Sequence, residues 1–140
     1  MSKIQVVYWS QTGNTQAMAE AVARGIEAAG KEAELVEVGA ASLDDLKNAS
    51  AFAMGCPAMG DEVLEEDEFE PMFNSCETKL SGKKVGLFGS YGWGDGEWMH
   101  NWEDKCKEDG AVLVADGVIC QEEPDDDAVE NCKALGKALA

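Results

Sequence analysis

The sequence predicts a doubly wound α/β domain, a five-stranded parallel sheet in the order 2-1-3-4-5 with helices on both faces, and three observations predict it. Short β-rich apolar runs alternate with amphipathic segments along all 140 residues, the pattern of repeated strand-helix crossovers. The first run, Ile4 to Trp9, is near-continuously apolar, as a parallel strand covered on both faces must be. Unusual small-residue stretches follow strands one, three and four. Right-handed crossovers leave few topologies. The chosen order makes strands one and three neighbours where the winding reverses, which places a ligand at their carboxyl ends.

The elements follow in order. After strand one, a helix over about Asn14 to Ala29 puts Met18, Val22, Ile26 and Ala29 on one stripe, and Gly30 closes it. Strand two, Ala33 to Val38, alternates Glu34 and Glu37 with apolar residues, as a strand near the sheet edge does. Ser42 caps a short helix over about Leu43 to Asn48. Strand three is Ala51 to Gly55, and Pro57 and Gly60 end regular structure after it. Pro71, at a first helical position, opens a helix carrying Met72, Phe73, Cys76 and Leu80. Strand four is Lys84 to Tyr91, followed by a helix over about Glu97 to Glu108 that Gly110 stops. Strand five, Ala111 to Val114, breaks at Asp116-Gly117 and resumes at Val118 to Cys120. Pro124 starts the last helix, with Val129, Cys132, Leu135, Gly136 and Leu139 as its buried stripe.

A chain of this length, 45% apolar, is expected to form one domain over residues 1–140 with a core that needs no staples. No stretch approaches a membrane span, and the first residues lead into a strand rather than a signal peptide, so a cytoplasmic protein is expected. Five cysteines, odd in number and without a CxxC pair, read as buried free thiols rather than as metal ligands. The formal net charge of -17 argues against nucleic acid and anionic membranes as partners. It suits positively faced proteins, or solubility alone.

The stretch Ser10-Gln11-Thr12-Gly13-Asn14-Thr15 joins strand one to the first helix, whose leading backbone N–H groups have no intrahelical acceptor. Hydroxyls, an amide and a tight glycine turn there make an anion seat, or more plainly a capping sequence. A nucleotide triphosphatase loop, GxxxxGK[ST], is absent, as is GxGxxG at this turn. Two further loops, Pro57 to Glu62 and Ser90 to Gly96, fall at the same carboxyl edge, each offering one large side chain, Met59 or Trp93, among small residues. Met59 is equally suited to filling a core gap. Trp93, beside three glycines, has little scaffold to bury it. A planar ring between sulfur and indole, with a phosphate at the first turn, describes a mononucleotide. The lone histidine, His100, falls on the helix after strand four, where a solvated surface role is expected, so no residue set does bond chemistry and a cofactor's own electronics must.

The three motifs S-x-T-G-N-T, A-M-G-D-E and S-Y-G-W-G-D-G resemble the three flavin-binding loops of flavodoxins, in register over essentially the whole chain. The brief break at Asp116-Gly117, without a long insertion, resembles the short-chain type. The resemblance implies non-covalently bound FMN and a low-potential one-electron carrier, not an enzyme, that shuttles electrons between redox enzymes. It puts the phosphate on Ser10, Gln11, Thr12, Gly13, Asn14 and Thr15, and the isoalloxazine between Met59 and Trp93. Gly60 and Asp61 then meet flavin N5, and Glu62 the N3-H. Ala58, Ser90, Tyr91, Gly92 and Gly94 meet the remaining ring edges, with Trp98 and Gln121 as further candidates. Pro57 removes one backbone donor from the second loop. The implied switch is a turn of the Gly60-Asp61 peptide on one-electron reduction, which a residue without Cβ permits.

Acidic residues crowd the same edge: Asp61, Glu62, Glu65, Glu66, Asp67, Glu68, Glu70 and Glu77, then Glu122, Glu123, Asp125, Asp126 and Asp127. Most lysines fall at the opposite end, partly as complements to helix C-termini. The acidic face is expected to steer basic-faced reductase or oxidoreductase partners towards the flavin, and the chain to act as a monomer. The rival is an FMN-dependent quinone reductase-type enzyme of the same fold, disfavoured by short loops and the acidic rim. A phospho-receiver domain needs a carboxylate where this chain has Gly55-Cys56.

Overall fold

The computed structural model describes residues 4–9, 13–40, 49, 51–57, 69–76, 80–91, 96–121 and 124–140. The expected helix over 43–48 lies outside them. Strand β1 (Ile4–Tyr8), buried at every position, runs parallel between β2 (Ala33–Glu37) and β3 (Ala51–Gly55). Strand β4 (Lys84–Tyr91) adds to the other side of β3. The fifth position, beyond β4, is shared by two collinear pieces, β5 (Val112–Leu113) and β6 (Val118–Gln121). The sheet order is β2-β1-β3-β4-β5 with β6 also on β4, as the sequence predicts, including the break within the fifth strand around Asp116-Gly117. The charged alternation of β2 fits its edge place, where Leu35 is 43% exposed.

The break in the fifth position has a measurable cause. Val85 to Phe88 of β4 spans three steps while its partners Leu113 to Val118 span five, so two residues are looped out as in a bulge. Helix α3 (Glu97–Glu108) holds the looped segment: Glu103 Oε2 accepts from the Gly117 N–H at 2.8 Å.

Side-chain alternation divides the core. Val7, Phe52, Met54, Val85 and Leu87 face one side, with α2 (Phe69–Cys76) and α3. Ile4, Val6, Tyr8, Ala53 and Phe88 face the other, with α1 (Asn14–Ala28) and α4 (Asp126–Leu139). The period of two assigns each residue to one layer. Helices α1 and α4 approach each other through glycine. A Cβ on Gly25 would stand 2.0 Å from the Lys133 carbonyl oxygen, and one on Gly136 only 2.1 Å from that of Val22.

Some boundaries differ from the sequence reading. Pro71 is the third residue of α2, not the first, because buried Phe69 is drawn into edge-to-face contact with Trp102 and pulls the helix start back. Proline is tolerated there because first-turn N–H groups have no intrahelical acceptor. Leu80 lies beyond α2 yet is fully buried in the same layer. Ala29 is the exposed C-cap of α1, not part of its buried stripe. Val38 opens a 3₁₀ turn, Val38–Ala40, rather than extending β2. Pro124 precedes α4, whose N-cap is Asp125. Cys56, Cys106, Cys120 and Cys132 are buried free thiols, as expected.

Candidate functional site

The parallel register brings four strand ends to one rim. Tyr8 stands beside Gly55, Gly55 beside Phe88, and Tyr91 beside Gln121. Bonds beyond the strand ends tighten this edge: Trp9 N–H donates to Gly55 O at 3.0 Å and Cys56 N–H to Phe88 O at 3.1 Å. Residues 10–12, 58–68 and 92–95 follow these ends. Of the predicted site residues, Ser10, Gln11, Thr12, Ala58, Met59, Gly60, Asp61, Glu62, Gly92, Trp93 and Gly94 therefore lie outside the described residues.

Those that are described form the floor of the rim. Helix α1 starts from Gly13 at φ +93, a conformation that favours glycine, and a Cβ there would meet nothing within 4 Å among the described residues. Gly13, as the N-cap, brings no side chain of its own to cap this end, and no carboxylate lies in the first turn. Asn14 is half-buried beside it. Thr15, 1% exposed, turns inward to place Oγ1 2.9 Å from Oγ of Ser90, itself 5% exposed near the end of β4. The contact joins the phosphate turn of the sequence reading to the start of its third loop across 75 positions of chain.

Tyr91, half-buried, lies against Trp98 with ring centroids 5.6 Å apart. Trp98 is 2% exposed and its indole N–H donates to Cys56 O at 3.2 Å. It is a brace under the rim, linking α3 to the residue before Pro57. Gly89 permits this approach, since a Cβ there would stand 2.2 Å from the Cys56 carbonyl oxygen. Gln121 closes β6 at the rim, exposed. The sequence reading missed the Thr15–Ser90 contact and the bracing of Cys56. Strand parity held a partial signal, because Phe88 and Ser90 share the face that α1 covers.

Burial, with Asp125 adding, pushes the Cys120 thiol up to about 11. Burial, with Cys120 adding, pushes Cys132 up to about 12. Both are thiols rather than thiolates at neutral pH. Burial also raises the Tyr8 phenol, with Glu37 and then Glu20 contributing. His100 has a side chain 73% exposed, with Nδ1 3.4 Å from Glu103 Oε1, in the solvated place expected of it. Among the described residues, no group of His, Cys, Asp and Glu is arranged to hold a metal.

The donor set fits a phosphorylated ligand. A helix N-terminus whose first turn holds no carboxylate, a glycine turn at positive φ and a buried hydroxyl pair offer hydrogen-bond donors without a competing negative charge in that turn. Fold and site together define a doubly wound α/β protein of the kind that seats a nucleotide-like cofactor at its switch point.

Comparison with known proteins narrows this class. The flavodoxin family model matches residues 6–136. The chain is 50% identical to the flavodoxin of Clostridium beijerinckii, over 98% of this chain and 99% of that one. It is 45% identical to the flavodoxin of Megasphaera elsdenii, over 98% of each. The solution structure of two-electron reduced Megasphaera elsdenii flavodoxin superimposes with a TM-score of 0.87 at 46% identity, covering 97% of both chains. The chain belongs to the flavodoxin family, and is an FMN-binding electron-transfer flavoprotein.

Proposed function

We propose that this protein is a low-potential one-electron carrier that shuttles electrons between larger redox enzymes and performs no turnover of its own. The observation that carries the reading is the carboxylate-free first turn of α1 beside the buried Thr15–Ser90 pair, at the rim where β1, β3 and β4 end. Ser10, Gln11, Thr12, Gly13, Asn14 and Thr15 hold the phosphate of FMN. Met59 and Trp93 cover the faces of its ring, and Ala58, Gly60, Asp61, Glu62, Ser90, Tyr91, Gly92, Gly94 and Gln121 border it. Trp98 supports this border by holding the Cys56 carbonyl. The bound FMN supplies reversible one-electron chemistry, and the protein's part is to orient it, shield it and set the charge around it.

The acidic residues at the rim steer basic-faced partners by long-range attraction. Support comes from the charge division among the described residues: Asp125, Asp126 and Asp127 open α4 at the rim, while Lys105, Lys107 and Lys137 lie in final helical turns. A monomeric, cytoplasmic carrier over residues 1–140 without nucleic-acid or membrane partners completes the proposal; no helix among the described residues is long and apolar enough to cross a membrane.

The test is a visible spectrum and reductive titration of the purified protein. A flavin spectrum, two resolved one-electron steps and no steady nicotinamide-driven reduction of quinones are expected. Sustained quinone turnover by the pure protein instead identifies an enzyme. Electron transfer to a partner should slow as ionic strength rises, and salt-independent rates reject the steering.

A further inference from the structure

We propose that Ser90 orients the hydroxyl proton of Thr15 and thereby sets the site's preference for a phosphorylated flavin over the same flavin without its phosphate. The inference rests on the FMN reading above. Thr15 Oγ1 and Ser90 Oγ are 2.9 Å apart and both residues are at least nine-tenths buried. Two hydroxyls carry two protons, and one contact uses one of them. Among the described residues neither hydroxyl has another hydrogen-bond partner, so one O–H is left to be claimed.

Position decides which one. Thr15 belongs to the first turn of α1, whose positive end faces the rim and whose stretch from Ser10 to Thr15 contains no Lys or Arg. If Thr15 donated to Ser90, it would turn a lone pair towards an anion at this end, which is repulsive. With Ser90 donating, the Thr15 proton is free for the anion, and the two bonds polarise each other in one direction. Ser90 then acts on the phosphate without touching it. It is a positioning residue that replaces, through a relay, part of what a cationic side chain does in other phosphate sites. A flavin lacking the phosphate draws nothing from the relay.

The experiment titrates the flavin-free protein with FMN and with riboflavin, following quenching of flavin fluorescence. Ser90→Ala is expected to weaken FMN about tenfold more than it weakens riboflavin, the scale of one hydrogen bond to a charged group, since any loss at the ring edge is common to both flavins. Because Ser90 acts through Thr15, the double variant Thr15→Val with Ser90→Ala should bind FMN no more weakly than Thr15→Val alone. Equal losses for the two flavins, or additive losses in the double variant, overturn the relay and leave Ser90 a packing residue. Should Ser90→Ala fail to fold, Ser90→Cys keeps the volume with a poorer donor, and a selective FMN loss of the same sign is required of it. A wild-type chain that binds neither flavin refutes the functional reading itself, whereas tight wild-type FMN binding with an unaltered preference in the variants refutes this inference alone.

Discussion

Helices α1 and α4 lie on the same face of the sheet, touch through glycines and both begin at the rim where the parallel strands end, yet their first turns are built oppositely. Helix α4 satisfies itself: Asp125 Oδ1 accepts from the Ala128 N–H at 2.8 Å, and Asp126 and Asp127 set negative charge against its positive end. Helix α1 starts from Gly13 with neither device. In a chain with 28 carboxylates, a first turn without one is a vacancy of charge in the right place. A helix that maximises its own stability answers its dipole internally, and one that binds an anion leaves the answer to the ligand.

The largest expected effect concerns what the two helices share. Gly25→Ala or Gly136→Ala drives a Cβ into backbone of the other helix and should destabilise the protein by about 3 kcal/mol, read as a lowered urea midpoint. Both helices should be affected together. Next comes the difference itself. Asn14→Asp gives α1 the charge that α4 already carries, and should weaken FMN by about thirtyfold, or ~2 kcal/mol, while riboflavin affinity holds and the flavin-free protein is no less stable. An equal loss of both flavins breaks the comparison. The converse is Asp125→Ala, which should cost about 1 kcal/mol of stability with FMN affinity unchanged within about twofold.

The smallest effect sharpens the contrast between rim and interior. Cys132 has its pKa raised in the folded protein to about 12 from an ordinary value of 9.0, so the native state holds that proton more tightly than the unfolded chain. The stability this contributes is fully present below about pH 9 and is lost as pH rises towards about 12. Urea midpoints of wild type should therefore fall between pH 9 and pH 11, and Cys132→Ala should fall less steeply, whatever its starting midpoint. Parallel slopes would show that another group governs the alkaline limb.

Much of this was legible in the chain. Strands β3 and β4 and helix α3 carry their boundaries in plain sight, because Pro57, the glycines after Tyr91 and Gly110 punctuate them. The sheet order was a choice among the few right-handed topologies, and the apolar first strand and the charged second agree with it. Boundaries failed where a distant partner outweighed a local signal: Phe69 pulled α2 past Pro71 because Trp102 was waiting for it. The site divided the same way. Turn residues announced the loops, but the Thr15–Ser90 contact joins residues far apart in sequence, which no local pattern encodes. The resemblance offered Trp98 as a further flavin contact; its burial and its bond to Cys56 O add a role in the frame that only the fold reveals.

The divided fifth strand frees the rim from the length of the chain that feeds it. Since β5 and β6 are each registered on β4 independently, and Glu103 grips the returning end at Gly117, additional residues spliced in after Leu113 would lengthen a closed loop at little entropic penalty without disturbing Cys120 or Gln121. The molecule thus carries a graft point, remote in sequence from the turn at Gly13, where a recognition segment for a new redox partner can be added while the rim stays as it is.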